Sequence, residues 1–288
     1  MGERVHVEIN AGIAEVRLAR SEKRNALDRA MFDALIEAGE KLKGALGVRA
    51  VVLSGEGHGF CAGIDMRVLA EMESGAIAGV SHLASRTHGI CNRFQYAAWI
   101  WREIPVPVIA AVHGFALGGG FELALGADVR YLTPDARLAV MEVRWGLVPD
   151  MGATQFMRHL AREDIVRELA YTGCEFSGTE ALAYGFATRL TDDPRSMAFA
   201  TARQIADRSP HAVRALKRLF NRAVIVGPEA GLIDECIEQQ ALVGSRNQME
   251  TVHADREGRK PRFEEVSSAT ATAVASSADA HHGQAAWQ

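Results

Sequence analysis

The stretch Gly-Phe-Ala-Leu-Gly-Gly-Gly-Phe-Glu-Leu-Ala-Leu-Gly-Ala-Asp, residues 114–128, carries a single charge, Glu122, in the fourteen positions before Asp128. Three consecutive glycines (Gly118, Gly119 and Gly120) disfavour a helix start by about 1 kcal/mol each relative to alanine. Their use is close approach of backbone. A glycine-lined helix N-terminus presents free N–H groups and the positive end of the helix dipole, an arrangement suited to a developing oxyanion. The alternative is a tight packing cluster with an exposed glutamate, but Phe, Leu and Ala surround Glu122 on every side.

Two neighbouring segments extend this pattern. Residues 54–65 (SGEGHGFCAGID) form a glycine-rich loop after a strand, a second place for an exposed N–H or for an anion-binding turn. Residues 137–154 (RLAVMEVRWGLVPDMGAT) place Glu142 at an apolar strand end, where an ionised carboxylate is costly unless paired or used. Arg137 and Arg144 are candidate ion-pair partners for it. Asp150 can serve as a second acid or as the N-cap of a helix over 152–160.

The rest of the chain alternates strand and helix. Residues 4–9 and 12–18 read as a hairpin turning at Ala11-Gly12, and Asp28 caps a helix that runs to Gly44 or Gly47. Strands are expected at 49–54, 107–112, 128–133, 137–141 and 186–191. Residues 65–103 read as mostly helical with a break around Gly75 and Gly79. After Gly152 helices are expected at 152–160, 162–172, 179–184, 195–208, 210–224 and 229–253. This order predicts an α/β architecture with crossover connections. Residues 1–226 form the core, 227–265 a helical region hinged at Gly227-Pro228, and the Ala/Ser/Thr-rich residues 266–288 a flexible tail.

Composition narrows the chemistry. With 288 residues, 48% hydrophobic and 24% charged, the chain builds a core without disulfide or metal staples. A net charge of −4 argues against a dedicated nucleic-acid binder. Cys61, Cys91, Cys174 and Cys236 form neither a C-x-x-C pair nor a zinc signature, and suit a reducing cytosol. No leader or membrane span is legible, so a cytoplasmic location is expected. P-loop, dinucleotide, G-x-S-x-G and H-E-x-x-H motifs are absent. His113 reads as a turn or packing residue. The run Arg256, Arg259, Lys260, Arg262 reads as a solvated face or a phosphate-binding patch.

Taken together, five pieces resemble the enoyl-CoA hydratase/isomerase (crotonase) family over residues 5–262: Asn25-Ala-Leu, Gly-Phe-Cys-Ala-Gly-Ile-Asp at 59–65, Pro-Val-Ile-Ala-Ala-Val-His-Gly at 107–114, Gly-Gly-Gly-Phe-Glu at 118–122, and the segment from Glu142 to Gly152. The resemblance implies a crotonase-like spiral of ββα units followed by a helical C-terminal part that builds a homotrimer or a dimer of trimers. It implies an acyl-CoA thioester as substrate, with no metal or further cofactor. The backbone N–H groups of Ile64 and Gly119 become the oxyanion hole, and Glu122 and Glu142 the catalytic acids. Ala62, Gly63, Asp65, Met66, Arg67 and Gly118 would line the CoA channel, with Ala26 and Leu27 opposite.

Within the family, hydratases usually carry glycine where this chain has Asp150. Dienoyl-CoA isomerases carry Asp there, read Ala-Gly-Ile-Asp at the place of 62–65, and have Asp where this chain has Glu122. This chain therefore holds both sets of acids. The reading favoured is 2-enoyl-CoA hydration; 3,5-dienoyl to 2,4-dienoyl isomerisation is the alternative, and a non-catalytic acyl-CoA binder the third.

Overall fold

The computed structural model describes residues 3–72 and 82–266. Val5–Asn10 (β1) and Ile13–Leu18 (β2) pair antiparallel across the Ala11-Gly12 turn. Asp28 accepts the Met31 N–H at 2.8 Å and starts Arg29–Lys43 (α1). Then follow Ala50–Gly55 (β3), Met66–Met72 (α2), Arg93–Glu103 (α3), Val108–Val112 (β4), Phe115–Leu117 (β5), Gly119–Leu125 (α4), Val129–Leu132 (β6) and Arg137–Ala139 (β7). Next come Ala153–Met157 (α5), Glu163–Thr172 (α6), Glu175–Ser177 (β8), Gly178–Tyr184 (α7) and Arg189–Leu190 (β9). Pro194–Ala206 (α8), Pro210–Ala223 (α9), Pro228–Leu242 (α10) and Arg246–Arg256 (α11) complete it.

One sheet has the order β1-β2-β3-β4-β6-β9, parallel from β2 onward; a second has the order β5-β7-β8. Alternate residues of β3 and β4 enter two cores. Val51, Leu53, Val108 and Ala110 face the large core shared with α1, α3 and α4. Val52, Ile109 and Ala111 face a smaller one closed by Ala198 and Ala202 of α8. A sheet covered on both faces explains why these strands are apolar throughout. The one carboxylate on the α8 side of β2, Glu15, is met by Ser54 Oγ at 3.0 Å and by both arms of Arg195 at 2.6 and 2.7 Å.

Two expectations need correction. Residues 82–92 are not helical. Arg86 and Asn92 satisfy the carbonyls of Leu83, Ala84 and Ile90, and Asn92 forms a capping box with Gln95 that begins α3 afresh. The expected break at Gly75 and Gly79 lies outside the described residues, as does the tail beyond Val266. The helix expected over 229–253 is two: Gly244 takes φ +75°, and Ser245 caps α11. The three-residue strands β5 and β8 were not expected. The parallel strands β3 and β4 deliver the loop 56–65 and the segment 113–119 from their carboxyl ends to the same place, as ligand sites in such sheets require.

Candidate active site

Backbone comes first. Gly118 adopts φ 49°, ψ −125°, a conformation that suits glycine, and an added Cβ there would meet Glu142 Oε1 at 2.7 Å. Gly63, at φ +82°, approaches Leu117 so closely that a Cβ would stand 2.5 Å from its carbonyl oxygen. The segments 62–64 and 117–119 therefore touch backbone to backbone.

Leu27 N–H donates to the Gly63 carbonyl at 2.8 Å, and Asp65 N–H donates to the Leu27 carbonyl at 3.0 Å. This parallel bridge uses the groups on both sides of Ile64 and turns the Ile64 N–H the other way. Among the described residues neither the Ile64 nor the Gly119 N–H has an acceptor, and both residues line one cavity of about 940 Å³.

Four acidic residues line that cavity, Glu122, Glu142, Asp150 and Asp65. Glu122 is 1% exposed; its Oε2 accepts the N–H of Met151 at 2.8 Å and of Ala153 at 3.2 Å. Burial, then the charges of Glu142 and Asp150, push it well above the usual carboxyl range despite those donors. Glu142 is also raised, by burial first, although its hydrogen bond with Glu122 works the other way. The two carboxyls titrate as a coupled pair, and burial favours the protonated form of Glu122 most strongly. Burial likewise raises Asp150.

Every residue expected at the site lines the cavity: Glu122, Glu142, Asp150, Ile64, Gly119, Ala26, Leu27, Ala62, Gly63, Asp65, Met66, Arg67 and Gly118. Several details differ. Glu142 is not at a strand end. β7 stops at Ala139, and Glu142 opens a 3-10 turn, Glu142–Trp145. Its expected partners Arg137 and Arg144 pair with Glu175 instead. Asp150 does not cap α5, whose N-cap is Gly152. The Asp65 carboxylate turns to Arg20 at 2.7 Å and to the Arg67 N–H at 2.9 Å. His113 Nε2 bonds the Gly57 carbonyl at 2.9 Å, the turn role expected of it. Arg256, Arg259, Lys260 and Arg262 do not line the cavity; Arg259 binds Glu250 and Glu257.

Sequence reasoning missed much of the wall. Lys23 and Arg24 bring positive charge to it, and Met141, Leu147, Val148 and Met151 bring apolar surface. Trp145, which the sequence does suggest as core or acyl-pocket lining, is 46% exposed and stands with them on the wall. The walls come from segments far apart in sequence, and no local periodicity marks them. It also missed Asn25, fully buried, whose Nδ2 binds the carbonyls of Glu56, Gly59 and Phe60 and ties the loop after β3 to the chain before α1. Among the described residues no group of three or more His, Cys, Asp or Glu is arranged to hold a metal ion, and no helix is long and apolar enough to cross a membrane.

Known proteins resemble the chain over most of its length. A family profile described as enoyl-CoA hydratase/isomerase matches residues 8–266. The mitochondrial Delta(3,5)-Delta(2,4)-dienoyl-CoA isomerase of Mus musculus is 35% identical over 210 residues, which is 71% of this chain and 64% of that protein's length. The mitochondrial enoyl-CoA hydratase domain-containing protein 2 of Bos taurus is 34% identical over 261 residues, 88% of this chain and 85% of its own. The crystal structure of an enoyl-CoA hydratase from Bacillus anthracis superposes with a TM-score of 0.80 at 28% identity, covering 90% of this chain and 98% of the other.

Proposed function

This chain belongs to the enoyl-CoA hydratase/isomerase family, and from that premise we propose that it adds water across the 2,3 double bond of an enoyl-CoA. The observation that carries this reading is the Glu122–Glu142 pair, two carboxyls of raised pKa lining one cavity that also presents the unpartnered N–H groups of Ile64 and Gly119. The thioester oxygen lies between those two donors. Glu122 removes a proton from water, the water oxygen bonds to the β-carbon, and the π electrons move to the thioester oxygen. Glu142 then protonates the α-carbon and the carbonyl re-forms. The reactive state has the base at Glu122 and the acid at Glu142. The proton held on Glu122 at rest reaches Glu142 along their shared hydrogen bond, with no change in net charge.

A second reading rests on Asp150. It faces the cavity rather than capping α5, and it acts electrostatically on both glutamates. A third acid there suits proton transfer along a 3,5-dienoyl chain, the substrate in the name of the mouse relative. Asp150→Asn separates the two. Under the hydratase reading, loss of the 2-enoyl thioester absorbance continues within a fewfold of wild type. Under the isomerase reading, appearance of the conjugated 2,4-dienoyl absorbance from a 3,5-dienoyl-CoA falls by about 10²-fold or more.

We also assign self-association to the C-terminal helices. Leu216, Phe220, Ile225 and Leu232 on α9, α10 and their connection are 51–71% exposed, an apolar face that supports an oligomer. Light scattering is expected to give a trimer or hexamer mass for the wild type and a lower mass for Leu232→Asp. A wild-type monomer would remove this assignment.

A further inference from the structure

The bridge that aims the Ile64 N–H has only two hydrogen bonds of its own, Leu27 N–H to Gly63 and Asp65 N–H to Leu27. One buried side chain spans it. Arg20, 6% exposed, places Nη1 2.9 Å from the Ala26 carbonyl, next to Leu27, and 2.7 Å from Asp65 Oδ2, next to Ile64. Its Nη2 lies 3.3 Å from Asp28 Oδ2, and Asp28 is held from the far side by Arg4 at 2.8 Å and caps α1 through the Met31 N–H. Asp65 is fixed in turn by the Arg67 N–H at 2.9 Å. We propose that Arg20 is a positioning residue for the reaction: its guanidinium clamps both strands of the Leu27–Ile64 bridge and sets the direction in which the Ile64 N–H meets the thioester oxygen.

Stability alone does not call for this arrangement. Arg20 Nε is buried without an acceptor among the described residues, and apolar or neutral replacements of buried ion pairs are often neutral or stabilising. What an apolar pair cannot do is hold two backbone segments at fixed hydrogen-bond distance. A shift of about 1 Å in a donor far from any broken bond can cost roughly 10²-fold in rate.

The proposal rests on the oxyanion reading of Ile64, so its test has an arm independent of turnover. Arg20→Met alone strands the Asp65 charge and is expected to lower the melting temperature. Arg20→Met with Asp65→Asn leaves no lone charge there and should recover it. A purely structural Arg20 predicts that kcat recovers with stability. The clamp predicts that kcat of the paired variant stays about 10²-fold down with KM little changed, and that Arg20→Lys, which keeps a cation, falls between. In parallel, hydrogen–deuterium exchange of the Leu27 and Asp65 amides should quicken about tenfold in the paired variant as the bridge opens locally. A stable paired variant with wild-type kcat, or with wild-type exchange at both amides, overturns the clamp. Should the wild type itself fail to hydrate enoyl-CoA, the hydratase reading falls and exchange alone decides the clamp.

Discussion

Glu122→Gln is expected to lower enoyl-CoA hydration by about 10³-fold, within the range a positioned acid–base group contributes, while a saturated acyl-CoA still binds. The substitution keeps the acceptor that takes the Met151 and Ala153 N–H groups, so α5 stays docked. It removes the titration. Glutamine cannot take a proton from water, and it donates permanently to Glu142. The same variant makes an opposite prediction for stability. The fold raises Glu122 well above its ordinary value of 4.5, so folding favours the protonated form. That advantage is complete below the ordinary value and is lost as pH rises through the raised one. Glutamine has no such loss. Calorimetry at pH 8 should therefore find Glu122→Gln at least as stable as wild type, with no such gain near pH 4. An active Glu122→Gln enzyme would refute the role given to the pair. A variant less stable than wild type at pH 8 would refute the burial account of the raised carboxyl.

The part of this site legible in sequence was the part whose cost is local. A lone carboxylate among Phe, Leu and Ala has few explanations, and three consecutive glycines at a helix start have fewer; in the structure the carboxyl is buried and each glycine is closely approached by its neighbours. Asp28 was legible for the same reason, since its cap acts three residues away. Two other local signals were present but passed over: Asn92 with Gln95, and Ser245 with Gln248, each of which starts a helix where a longer one was expected. Asp150 was ambiguous because Pro-Asp-Met-Gly fits a cap as well as a cavity wall, and only the position of Gly152 as N-cap decides it. Arg20 and Asn25 were illegible in role. Apart from the Arg20 N–H that Asn25 Oδ1 accepts, their side-chain partners lie on residues 26, 28, 56, 59, 60 and 65, and a polar side chain carries no mark of being buried until the loop after β3 closes over it. The short strands β5 and β8 lack the length for alternation to register, yet β5 is what carries the chain from β4 to Gly118.

Gly118→Ala is expected to reduce kcat by about 10²–10³-fold, the loss typical when one oxyanion donor is removed, and to do so by two routes at once. Gly118 precedes the donor of Gly119 and holds φ 49°, ψ −125°; an alanine there resists the turn that points the Gly119 N–H into the cavity. Its Cβ would also stand 2.7 Å from Glu142 Oε1 and 3.4 Å from Met141 Cγ, pushing the acid out of line with Glu122. Backbone strain by itself is not the argument, because left-handed glycines recur along the chain. Gly244, at φ +75°, has open space where a Cβ would go and lies between α10 and α11. Gly244→Ala should therefore show the strain alone, about 1 kcal/mol of stability, with turnover unaffected. Melting temperature and kcat measured for the two variants side by side separate the effects. If Gly118→Ala loses stability like Gly244→Ala and still turns over like wild type, the Gly119 N–H is not a donor to the thioester. If kcat collapses while the melting temperatures fall together, the contact with Glu142 and the aim of the Gly119 N–H are what the glycine protects.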